Sequence, residues 1–132
     1  MALLTKKDII TLQPELKKQV KERKCLICCK KLRGELEAHS LEKGDLADVR
    51  AELKEDAQRG IYKMIYMSID LLRDPDILKK YNCETNSFNI VERLFPKENE
   101  VFAVADIIRE LNGLNVLKPD EIFRKEIEDT KN

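Results

Sequence analysis

The sequence predicts an all-α protein, a single helical bundle of five to seven helices in which two are long and antiparallel. Apolar residues recur at steps of three or four along most of the chain, which is the period of a helix face. Only four glycines and four prolines interrupt the 132 residues, and we find no alternating apolar run of useful strand length. A chain of this length usually forms one domain, so we expect 1–132 to be a single α-helical domain.

The first long helix is predicted at about 14–42, after a short helix at about 5–11. Pro14 is tolerated in a first helical turn, and Gly34 is the only later residue that weakens the helix before Gly44 ends it. One apolar stripe on this helix consists of Cys25, Cys29, Leu32 and Leu36. A second stripe lies on roughly the opposite side, so the helix should contact two neighbours or bend between them.

The second long helix is predicted at about 45–73, and a tight turn at Gly44 makes it an antiparallel neighbour of the first. Its second half is apolar nearly all round, which is typical of a helix in the core or at a self-association surface. We expect the central apolar residues, in the core or at a partner surface, to be Ile61, Ile65, Tyr66, Ile69 and Leu72. Shorter helices are predicted at about 76–82, 88–94, 98–111 and 119–129.

Charge is distributed unevenly along a chain that is neutral as a whole. Residues 1–40 hold ten basic and five acidic side chains, whereas residues 98–132 hold five basic and nine acidic ones. The basic third therefore suits a phosphate, an acidic lipid or an acidic protein surface, including the acidic third of this chain or of another copy. On a continuous helix one side would present four candidate phosphate-binding residues, Lys17, Lys21, Lys24 and Lys31.

The cysteines Cys25, Cys28, Cys29 and Cys83, together with the single histidine His39, are the residue types that bind zinc. The paired cysteines lie within a helical pattern and no second pair follows, so their alternative role is to fill the core as small apolar side chains. We predict no metal ion and no cofactor, and leave open whether the thiols bind metal or pack.

The sequence contains no recognisable catalytic set, because one histidine supports no triad and four scattered glycines form no phosphate loop. We therefore favour a non-enzymatic protein. The segment from Arg33 to His39, an Arg followed by a His after a short spacer, resembles the motif of the HEPN family of helical domains. That resemblance implies a ribonuclease in which two chains bring two motifs together, although Gly34 stands where the family usually has a polar residue.

We expect an intracellular, cytoplasmic protein with no membrane span, because the chain has no apolar stretch of the length that a span needs. The function we favour is an α-helical protein–protein interaction or assembly subunit that binds a protein partner or a second copy of itself. Two alternatives remain: a nucleic-acid-binding accessory protein that uses the lysine face, and a HEPN-like ribonuclease that uses Arg33 and His39.

Overall fold

The computed structural model describes residues 2–19, 22–114, 121–122 and 124–125. This part of the chain contains six α-helices and one two-stranded antiparallel sheet, so the all-α prediction is wrong and the fold is mixed but mostly helical. The elements are α1 (Lys6–Gln19), β1 (Lys24–Cys29), β2 (Gly34–His39), α2 (Lys43–Glu55), α3 (Ala57–Ser68), α4 (Pro75–Lys80), α5 (Ile90–Leu94) and α6 (Glu98–Leu111). Short 3-10 turns occupy Lys30–Leu32, Asp70–Arg73 and Ser87–Asn89.

A β-hairpin replaces most of the first predicted long helix. The pairing register places Cys25 opposite Ala38 and Ile27 opposite Leu36. Burial alternates along both strands, with Ile27, Leu36 and Ala38 buried while their sequence neighbours are exposed or half-buried. This is the two-residue period of a strand with one face on a core.

The helical stripe predicted for this region was wrong because a spacing of four residues satisfies both periods. Cys25 and Cys29 lie on one face of a helix, but residues four apart also lie on one face of a strand. The chain turns at Arg33, which adopts the left-handed conformation with φ of 56° just before Gly34. The predicted antiparallel pair of long helices is therefore absent, and α1 ends at Gln19 with Pro14 inside it.

The second predicted long helix is divided at Asp56 into α2 and α3. Asp56 has an extended backbone, and its side chain accepts a hydrogen bond from the Arg59 backbone N–H at 3.2 Å, which caps the start of α3. Residues seven apart in a continuous helix lie about 10 Å apart along the axis. Here Gly60 touches Leu53, since a Cβ on Gly60 would lie 2.6 Å from the Leu53 side chain, so the chain reverses direction between them.

The core lies between α3, α5, α6 and the inner face of the hairpin. Its fully buried large side chains are Val49, Ile65, Ile69, Leu72, Ile90, Val91 and Ile108. The hairpin packs on α6 and on the 3-10 turn that follows α3. Asn112 links the two layers at one edge, because its side-chain oxygen accepts from the Leu41 backbone N–H at 2.6 Å while its amide donates to the Ile108 carbonyl at 2.8 Å.

The shorter helices predicted near 76–82, 88–94 and 98–111 correspond to α4, α5 and α6. The helix predicted at about 119–129 lies largely outside the described residues, of which Glu121 and Ile122 are in a turn. No helix among the described residues is both long enough and apolar enough to cross a membrane.

Candidate interaction surfaces

α1 has an apolar face that no described part of the chain covers. Ile9, Leu12 and Leu16 follow one another at steps of three and four, so they share one side of the helix. They are 50%, 37% and 48% exposed, and none of the fourteen residues of α1 is buried. Thr5 and Asp8 fix the start of the helix by a reciprocal cap, with Thr5 N–H to Asp8 Oδ2 at 2.9 Å and Asp8 N–H to Thr5 Oγ1 at 3.2 Å.

A groove of about 590 Å³ lies between the start of α3 and the segment that joins α5 to α6. Its apolar lining consists of Ile61, Tyr62, Phe95, Pro96, Val101 and Phe102. Phe95 and Val101 are buried and form the floor, whereas Phe102 is 43% exposed and stands at the rim. An apolar floor with an aromatic rim is the kind of surface that receives the apolar side chains of a partner.

The two surfaces differ in charge. The groove is flanked by the carboxylates Glu92 and Glu98, and its lining contains no basic side chain. α1 carries Lys6, Lys7, Lys17 and Lys18 against Asp8 and Glu15. An apolar helix with a net positive charge and an apolar groove with an acidic edge are electrostatically complementary.

The five residues predicted as a central apolar surface lie along α3 and in the turn that follows it. Ile65, Ile69 and Leu72 are buried, while Ile61 and Tyr66 are half-buried. Ile61 lines the groove, and the Tyr66 ring meets Phe88 edge-on with 5.2 Å between ring centres. Ile61 is therefore the one member of this set that lines the groove.

The predicted lysine face does not exist as a helix face, because its members belong to different elements. Lys17 lies on α1, and Lys21 is outside the described residues. Lys24 on β1 pairs with Glu37 at 3.6 Å, and Lys31 in the hairpin turn pairs with Glu100 at 3.0 Å. Lys31 also lies over the Phe95 ring, and its hydrogen bond lowers the pKa of Glu100.

Arg33 and His39 lie at opposite ends of β2, which places them about 15–20 Å apart along an extended strand. His39 instead joins the hairpin to the turn after α3, with its Nε2 2.6 Å from Asp70 Oδ1 and its Nδ1 2.9 Å from the Ser40 carbonyl oxygen. Arg73 also binds Asp70 and donates to the Met67 carbonyl at 2.8 Å. Both ring nitrogens of His39 face acceptors, so both can donate hydrogen bonds when the ring is protonated.

This cluster shifts the pKa values of both partners. Burial lowers the pKa of His39, but the hydrogen bonds to Ser40 and Asp70 outweigh it and raise the pKa above its ordinary value. The hydrogen bond from His39 lowers the pKa of Asp70. The arrangement connects two elements, as an ion pair when His39 is protonated, and within one chain the structure does not bring Arg33 and His39 together.

The thiols do not converge. Cys25 and Cys29 are half-buried on the inner face of β1, about 13 Å apart along the strand, and Cys83 is buried elsewhere. Cys28 is exposed on the outer face, and its thiol donates to Glu35 Oε2 at 3.5 Å, which raises the pKa of the thiol. No group of three or more potential metal ligands occurs in the described part of the chain.

No family of known proteins, no curated protein and no solved structure matches this chain. We therefore interpret the function from the geometry of this chain alone.

The residues that sequence reasoning missed are Ile9, Leu12, Phe95 and Phe102. The first two were detectable, because their spacing with Leu16 is helical once Pro14 is allowed inside a helix. The groove was not detectable, because residues 57–62 and 95–102 are brought together only by tertiary packing.

Proposed function

We propose that the protein is a non-enzymatic interaction or assembly subunit that binds a protein partner or a second copy of itself through α1. The observation that carries the proposal is the exposed apolar face of α1, formed by Ile9, Leu12 and Leu16. Their positions i, i+3 and i+7 are those by which an amphipathic helix lies in an apolar groove.

The stability of α1 supports the same conclusion. An isolated helix of about 14 residues is marginal in water, because nucleation is costly and few backbone hydrogen bonds repay it. Pro14 removes one of those hydrogen bonds. A helix of this kind gains most of its stability from packing an apolar face, and no described element of this chain supplies that packing.

The nucleic-acid alternative is less well supported. Lys24 and Lys31 are engaged with Glu37 and Glu100, and the face that grouped them with Lys17 is not formed. Clustered cations and stacking aromatic side chains are the usual basis of phosphate and base contacts. The lysines named for that role are not gathered on one helix face in the described part of the chain.

The test compares Leu12→Asp with Ile10→Asp in the full chain. Ile10 is 63% exposed on the same helix but lies off the apolar face, so it controls for the added charge. Neither change should alter thermal unfolding of the dilute monomer, because neither side chain is buried. We expect Leu12→Asp to abolish association and Ile10→Asp to preserve it, measured by light scattering and by quantitative comparison of the proteins that co-purify. If neither variant changes any association, the proposal is wrong.

A further inference from the structure

We propose that the groove between α3 and α6 receives α1 of a second copy of this chain. This inference rests on the proposed function and adds the occupant and the surface on which it lies. It follows from three independent properties of the two surfaces: their apolar pattern, their charge and their positions in the molecule.

The apolar patterns of α1 and of the groove match in kind. Ile9, Leu12 and Leu16 span about 10 Å along α1, because each residue of a helix advances by about 1.5 Å. The groove offers a buried floor at Phe95 and Val101, and an exposed aromatic edge at Phe102. Three aliphatic side chains at helical spacing would cover this floor and remove the exposed edge from water.

The charges select this chain's own helix as the occupant. The carboxylates of Glu92 and Glu98 flank the groove without a basic side chain in the lining. On α1, Lys6 and Lys17 border one side of the apolar face, while Asp8 and Glu15 border the other. Asp8 is engaged in the helix cap with Thr5, which leaves Glu15 as the other carboxylate on its side, and the edge with Lys6 and Lys17 is the one whose charge complements the groove.

The positions of the two surfaces favour exchange between copies. The end of α1 at Gln19 lines the same cleft as Asn112 and Gly113, beyond the last residue of α6. The groove lies at the other end of α6, at Val101 and Phe102. Because α6 is about 20 Å long, the end of α1 at Gln19 and the groove lie near opposite ends of α6. Two copies that exchange α1 would therefore fill both grooves in one closed, two-fold arrangement.

The first experiment changes the groove. Phe102→Asp places a charge on the exposed edge, and Ile107→Asp places the same charge on α6 outside the groove at a residue that is 40% exposed. We expect the wild-type chain to have a concentration-dependent mass of at least a dimer by analytical ultracentrifugation. Phe102→Asp should raise the dissociation constant about tenfold or more, as loss of an interface anchor does, while Ile107→Asp leaves it unchanged.

The second experiment mixes two variants at a concentration at which neither associates by itself. A Leu12→Asp copy retains an intact groove, and a Phe102→Asp copy retains an intact α1. The mixture should recover association through one intact contact, and labelling each variant with a different fluorophore identifies the mixed pair by energy transfer. Recovery in the mixture is specific to a helix that crosses between copies.

Three outcomes would overturn this inference. A chain that is monomeric at all concentrations contradicts it, whether α1 is free or folds onto its own groove. An assembly that Ile107→Asp weakens as much as Phe102→Asp places the contact elsewhere, and a mixture that recovers nothing excludes the exchange. If the chain is monomeric but captures another protein in a Leu12-dependent manner, the proposed function stands and only the second-copy inference is wrong.

Discussion

α1 and α3 both carry an apolar stripe at helical spacing, but only the stripe of α3 is buried. Ile65 and Met64 of α3 are 0% and 2% exposed, whereas the apolar side chains on the face of α1 are at least 37% exposed. Periodicity therefore identifies the apolar side of a helix but not the surface that covers it. In α3 the cover comes from α2, α5 and α6, and in α1 no described part of the chain supplies a cover.

The largest effect that would test this contrast comes from truncating one residue in each stripe. Ile65→Ala should lower the free energy of unfolding by about 2–5 kcal/mol, because it leaves a cavity in a close-packed core. Leu12→Ala should change it by no more than about 0.5 kcal/mol in dilute monomer. Urea unfolding followed by circular dichroism measures both values. Equal losses would show that α1 is packed on the body and that the contrast is false.

Two glycine substitutions test how closely α2 and α3 approach each other. Gly60→Ala should destabilise the fold by about 1–3 kcal/mol, because the new Cβ would lie 2.6 Å from the Leu53 side chain and 2.7 Å from its Cα. Gly44→Ala is the matched control, since nothing lies within 4 Å of its Cβ position and the residue is in α2. That change should stabilise by about 0.5 kcal/mol. Thermal unfolding of both variants measures these effects. A neutral Gly60→Ala would contradict the close approach of α2 and α3.

The smallest effect concerns the ion pair that ties the hairpin to the turn after α3. The pKa of His39 is raised in the folded chain, so its contribution to stability is complete below its ordinary pKa of 6.5 and is lost as the pH rises through the raised value. The pKa of Asp70 is lowered, so its contribution is present above 3.8 and is lost as the pH falls through the lowered value. The pair therefore stabilises the fold between these limits.

His39→Gln should remove this pH dependence. Asp70 is 68% exposed, so water screens the pair and we expect it to contribute less than about 1 kcal/mol. The difference in unfolding free energy between wild type and His39→Gln should be larger at about pH 5.5 than at about pH 8.5. Asp106→Asn is the control, because Asp106 pairs with Arg109 and involves no histidine. A difference that does not change with pH would show that the ion pair does not form.

The sequence predicted correctly those segments whose spacing of apolar residues fits a helix and no other structure. α6 coincides with the predicted 98–111, because Val101, Val104 and Ile108 alternate between steps of three and four, which a strand cannot satisfy. The hairpin was missed because its cysteines are four residues apart, a spacing that suits both periods. The decisive signal was the alternation in Glu35–His39, where Leu36 and Ala38 are buried between exposed carboxylates.

The break at Asp56 was missed for a different reason. The apolar periodicity of α2 continues into α3 at Ala57 and Ile61, so the pattern alone predicts one continuous helix. Asp56 is a favoured N-cap residue, but a cap signal within a continuous apolar pattern is weak evidence against a helix. The groove depends on this reversal, because it brings Ile61 and Tyr62 beside Phe102.

The four thiols differ in exposure, so the rates at which a reagent modifies them report on different parts of the protein. A thiol reagent in water should modify Cys28 at once, because that side chain is exposed, although the hydrogen bond to Glu35 makes the thiol slower than a free one. Cys83 is 1% exposed and should react only when its part of the molecule opens. Mass spectrometry would follow the modification of each cysteine in the wild-type protein. The rates at Cys25 and Cys29 would report the opening of the hairpin, and the rate at Cys83 the opening of the interior.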